Sequence, residues 1–145
     1  MRTIPGFCTL FCFGVLLQAL VTPAPGYCDD GPPLAVEQYT FHPLPEYGRM
    51  ETVCFHFSQV HLPRVNSLEG DRPRLYFDLQ PVLDSDLQAK KSVNGALVHS
   101  IRSFLHRDEN SLRVVLDLSP DFNYRVEQRF SEMDTKLCLI IQAEE

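Results

Sequence analysis

Asn110-Ser111-Leu112-Arg113-Val114-Val115-Leu116-Asp117-Leu118-Ser119-Pro120 sets Val114, Leu116 and Leu118 on one side of an extended chain and Arg113, Val115 and Asp117 on the other. A period of two between turn formers predicts a half-buried β-strand, because successive side chains of a pleated strand point to opposite faces. Downstream, Tyr124-Arg125-Val126 and Lys136-Leu137-Cys138-Leu139-Ile140-Ile141-Gln142 predict two more strands. Upstream, residues 36–41 and 97–104 are strand-like, residues 52–57 turn Val53, Phe55 and Phe57 inward, and residues 74–80 do the same with Leu75, Phe77 and Leu79. Pro43 and Pro45 are expected to stop the first strand at His42, since proline removes a ladder donor. Residues 66–72 read as loop, and residues 84–91 as a helical turn or a plain connection. Asn94-Gly95 predicts a tight turn, both residues tolerating positive φ.

The pattern occurs twice. Displaced by sixty-one or sixty-two positions, Val36-Glu37-Gln38-Tyr39 falls on Val98-His99-Ser100-Ile101, and residues 53–57 fall on 114–118. Arg64-Val65 falls on Arg125-Val126, and residues 74–80 on 136–142. Each unit alone exposes an apolar face and must bury it against the other. The expected fold is all-β: a compact β-sandwich of two sheets with an internal pseudo-twofold duplication, spanning residues 34–145.

Arg2 and the apolar run of about fifteen residues from Phe7 to Val21 suit a secretory leader over residues 1–26, with an uncleaved anchor as the alternative; a membrane span needs roughly twenty. Residues 27–33 read as a short linker, and a membrane partner is expected only if the leader is retained. A composition 44% hydrophobic and 22% charged is globular, and a net charge of -6 argues against nucleic acid, whose phosphates call for a basic surface. Cys8 and Cys12 would leave with the leader, so the mature chain keeps Cys28, Cys54 and Cys138. Cys54–Cys138 is preferred over pairs with Cys28 because both lie in expected strands, although connectivity does not follow from sequence.

Arg72-Pro73-Arg74-Leu75-Tyr76-Phe77-Asp78-Leu79, Val98-His99-Ser100-Ile101-Arg102, Leu112-Arg113-Val114-Val115-Leu116-Asp117-Leu118 and Tyr124-Arg125-Val126 together resemble the AMIN domain. That family carries a Pro-Arg-x-x-x-Asp strand, an Ile-Arg strand and an Arg-Val-Val-Leu-Asp-Leu strand in this order, and the similarity covers about residues 34–142. The resemblance implies a symmetric sandwich with a binding role in the periplasm. In the family the domain carries N-acetylmuramoyl-L-alanine amidases to the division site, through peptidoglycan, and occurs at the N-terminus of type IV pilus secretins. In this sequence no amidase or secretin accompanies it.

Arg74, Tyr76 and Asp78 share the outward face of one expected strand, and Arg113 and Asp117 that of another, with Arg102 nearby. Four residues along a strand span roughly 13 Å, too far for a pair within the strand. If the strands are antiparallel neighbours, Arg74 faces Asp117 and Arg113 faces Asp78, a cross-strand arrangement worth about 0.2 to 1 kcal/mol per pair. The functional alternative makes these six residues a peptidoglycan site, the arginine forks taking peptide-stem carboxylates and Tyr76 stacking on a sugar ring. The rival function is an adaptor that recruits an envelope amidase or a secretin component through an open sheet edge. Cys54, His56, His61 and Glu51 lack a second Cys/His pair at ligand spacing, and His42 and His106 are expected in loops, so no metal is expected. Without a Gly-x-Ser-x-Gly elbow, a His-Glu-x-x-His helix or a phosphate-cradling loop, neither an enzyme nor a cofactor is expected.

Overall fold

The computed structural model describes residues 33–44 and 49–144. The expected leader, most of the linker and Cys28 lie outside the described residues. Nine strands follow in order: β1 Val36–Leu44, β2 Met50–Phe57, β3 Asn66–Leu68, β4 Arg74–Leu79, β5 Lys90–Ser92, β6 Val98–His106, β7 Ser111–Leu118, β8 Asn123–Ser131 and β9 Lys136–Glu144, with a 3₁₀ turn at Arg107–Glu109. They form two antiparallel sheets, β1-β2-β9-β8 and β3-β4-β7-β6-β5. The apolar positions of the alternating segments meet between them. Phe77 of β4 packs edge-on against Phe55 of β2 at 5.0 Å and against Phe57 at 6.4 Å. Val53, Phe55, Leu79, Val114, Leu116, Leu137, Leu139 and Ile141 are all fully buried.

The repeat is written into the strand order. Substituting β6, β7, β4 and β3 for β1, β2, β9 and β8 turns the four-stranded sheet into the first four strands of the other. Register follows: Tyr39 lies opposite Phe55 as Ile101 lies opposite Leu116, and Cys54 opposite Cys138 as Val115 opposite Tyr76. Bulges fall at matching places, between Val36 and Gln38 and between Val98 and Ser100. Backbone bonds recur too: Phe57 N–H to the Thr135 carbonyl (2.8 Å) matches Leu118 N–H to that of Pro73 (3.0 Å), and Ser58 to Ala35 (3.1 Å) matches Ser119 to Leu97 (2.9 Å). One sequence equivalence is displaced. Asn66 opposite Tyr76 corresponds to Arg129 opposite Cys138, so the third segments match at an offset of 63, two residues from the alignment of Arg64 with Arg125. A slip of two keeps each side chain on its face, which is why alternation did not expose it.

Other differences concern edges. β1 runs through His42 and Pro43 to Leu44, because it is an edge strand and a proline there gives up no bond with a neighbour on the open side. Residues 66–68 and 90–92, expected as loop and connection, are short edge strands held on β4 and β6. His42 and His106 accordingly sit in strands. At the Asn94-Gly95 turn only Asn94 has positive φ, 51°. Gly95 is required for space instead: a Cβ there would overlap Glu51 Oε2 and stand 2.7 Å from the Val98 carbonyl oxygen.

Candidate functional site: the outer face of the five-stranded sheet

Alternation on β4 and β7 brings five of the six expected site residues to one face, and β6, past its bulge, adds Arg102. Arg74 lies opposite Asp117, Tyr76 opposite Val115, and Asp78 opposite Arg113; on the far side of β7, Arg102 lies opposite Val115 and Ser100 opposite Asp117. Lys90 of β5 extends the row beyond Arg102, and Phe104 lies beside Arg113. Sequence reasoning missed Ser100, Phe104 and Lys90. The β6 bulge sets the first two, and β5 is too short to show alternation.

Two bidentate pairs cross this face. Arg113 donates through Nε and Nη2 to the two oxygens of Asp78 at 2.7 and 2.8 Å, with its guanidinium 4.9 Å from the Tyr76 ring. Arg102 donates in the same way to Asp117 at 2.7 and 2.5 Å, and the Ser100 hydroxyl donates to Asp117 Oδ2 at 2.6 Å. The hydrogen bonds from Arg113 hold Asp78 below the usual carboxylate range. Burial alone would raise Asp117, but Arg102 and Ser100 outweigh it and the net shift is down. Val115, though outward, is buried between Tyr76 and Arg102.

A pH dependence follows. Both carboxylates have native pKa values below their unfolded values near 4, so their contribution is complete above about pH 4 and is lost as pH falls through the lower native values. Both pairs are partly exposed, which limits the sum to about 1 kcal/mol. Chemical denaturation between pH 6 and about 2.5 should show this loss, and an Asp78→Asn/Asp117→Asn variant should show a shallower acid slope. An unchanged slope would remove the pairs from the acid response.

Arg74 differs from the other two arginines. Asp117, its register partner, is taken by Arg102 and Ser100, and Arg74 makes no ion pair among the described residues. Its Nε is buried without a hydrogen-bond partner, an arrangement that costs about 1 to 3 kcal/mol unless something external accepts the bond. Arg74 lines a cleft of about 710 Å³ where β3 and β8 form the free edges of the two sheets, together with Leu68, Leu75, Phe122, Tyr124 and Gln128. Burial first, then the charges of Asp121 and Glu51, push Tyr124 up to about 12, so its phenol stays protonated; it donates to the Ser119 carbonyl.

On the outer face of the other sheet, Cys54 and Cys138 are joined by a disulfide between directly opposed residues of β2 and β9. Its sulfurs are therefore not available as thiolates to hold a metal ion together with His56 or His61. Among the described residues no three His, Cys, Asp or Glu side chains gather where they could hold a metal ion. A scan against models of protein families finds no match to this chain, and a search of the curated proteins finds none either.

Proposed function

We propose that the chain is a non-catalytic localisation domain of the cell envelope, exported to the periplasm, where the outer face of its five-stranded sheet contacts peptidoglycan. The observation that carries this reading is Arg74. Arg74 makes no ion pair among the described residues, its Nε has no hydrogen-bond partner, and its side chain lines an open cleft beside Phe122 and Tyr124, where a peptide-stem carboxylate can meet the guanidinium if the side chain turns outward. Arg102 and Arg113, already forked onto Asp117 and Asp78, hold the face rigid and leave Arg74 as the anion contact. Tyr76, its ring covered on one side by the Arg113 guanidinium, adds an aromatic group to the same face, where a sugar ring can pack against its exposed part. The Cys54–Cys138 disulfide supports an oxidising compartment.

The test is co-sedimentation of the purified chain with purified sacculi. Arg74→Ala should weaken pelleting about tenfold, the loss of one charge-assisted hydrogen bond, while Arg102→Ala and Arg113→Ala act less directly through the lattice of pairs. Pelleting unchanged in all three variants would sink the face assignment. Pelleting that requires a second envelope protein would replace this reading with that of an adaptor for an amidase or secretin component.

A further inference from the structure

A sandwich of open sheets has four edges, and three of these are blunted. β3 and β5 are three residues each, and β1 carries a bulge after Val36 and a proline at position 43. β8 is nine residues long, without proline, glycine or bulge, and no described strand pairs with its outer side. Such an edge is a template for another strand.

The groups it offers can be identified. Phe57 N–H donates to the Thr135 carbonyl, so odd-numbered residues of β9 bond to β2 and even-numbered ones to β8. Their partners on β8 are the odd residues: Arg125 opposite Gln142, Glu127 opposite Ile140 and Arg129 opposite Cys138. The free N–H and C=O groups therefore belong to Tyr124, Val126, Gln128 and Phe130.

We infer that this edge pairs with the β8 edge of a second copy of the chain, antiparallel, about a two-fold axis at Gln128. In that register Gln128 meets its own copy, and each Val126 meets a Phe130, both half-buried. Each Glu127 meets an Arg129, and these two side chains are already bonded within one strand at 2.8 Å. Four charges then alternate in sign across the axis, and the two four-stranded sheets become one of eight. A shift of one residue to an axis at Glu127 sets Glu127 against itself and Arg125 against Arg129, so like-charge repulsion rejects it. An axis at Val126 also opposes unlike charges, Arg125 and Glu127, but sets the half-buried Phe130 against Phe122, outside the strand, instead of against Val126. The interface is isologous and closes at two copies.

Sedimentation equilibrium of the purified chain, at about 1 to 100 μM, should give twice the chain mass. Glu127→Arg and Arg129→Glu each set like charges across the axis, and each alone should weaken the dimer by about tenfold or more. Mixed in equal amounts, the two variants should dimerise again, because each supplies the charge the other needs. A refolding defect in either variant would show as lost circular dichroism before mixing and cannot produce that rescue. Gln128→Pro removes an N–H from the open side while sparing the ladder to β9, and should give a folded monomer. A monomeric native chain at 100 μM, assemblies larger than two, or dimers undisturbed in both charge variants would each overturn the proposal; a monomer that binds an extended peptide at β8 would assign the edge to a different partner.

Discussion

Replacing Glu51 with alanine should lower the stability of the domain by about 3 to 5 kcal/mol, a large share of the 5 to 15 typical of a single domain. Glu51 occupies an inward position at the start of β2, only 4% exposed. Its carboxylate crosses from one sheet to the other and accepts from the backbone N–H of Ala96 at 2.6 Å and of Val98 at 2.8 Å. Removing it orphans two amides, that of Val98 fully enclosed, and leaves a void beside Phe41. Glu51→Gln should recover only part of the loss, because an amide has one acceptor oxygen for two donors. Gly95→Ala should be destabilising by the same route, since the added methyl displaces the carboxylate. Guanidinium unfolding of the three variants checks this. A loss below about 1 kcal/mol for Glu51→Ala would mean that water serves those amides equally well.

Removing the disulfide should cost about 2 to 4 kcal/mol. Cys54 and Cys138 are 84 residues apart, and the entropy of closing a loop of that length sets an upper figure of about 4.5 kcal/mol. The link sits inside a ladder that pairs β2 with β9 from Met50–Gln142 to His56–Lys136, so backbone bonds on both sides of it also set the register. The Cys54→Ala/Cys138→Ala variant should therefore fold to the same structure and unfold at lower denaturant with an unchanged native spectrum. Loss of the fold altogether would show that the seam between β2 and β9 is too weak to form without a covalent tie.

The parts of this fold that are legible in the sequence are those governed by the pleat. Val53-Phe55-Phe57, Leu75-Phe77-Leu79 and Val114-Leu116-Leu118 each announce a strand and its buried face, and their spacing announces the repeat. Asn66-Ser67-Leu68 and Lys90-Lys91-Ser92 announce nothing, because backbone bonds to β4 and β6 hold them and no apolar face selects them. The opposition of Asp78 to Arg113 follows from alternation and an antiparallel neighbour. The capture of Asp117 by Arg102 rather than Arg74 does not, since it depends on a bulge in β6 that brings Ser100 to the same carboxylate. Glu51 was hidden for a related reason. Its position in the alternation is an inward one, but its acceptors' donors lie 45 and 47 residues further along the chain.

Each sheet is built half from β1–β4 and half from β6–β9, with the seams at β2–β9 and β4–β7. Neither half of the chain owns a complete sheet, so the domain has the anatomy of a strand-exchanged pair whose two members have been joined by the segment containing β5. Severed between β5 and β6, the halves would each be left with unsatisfied hairpins and an uncovered apolar face, and would recover the sandwich only by finding one another. By the same geometry, a single half-length polypeptide carrying either pattern has what it needs to build this architecture from two identical copies, with the connecting segment supplying proximity alone.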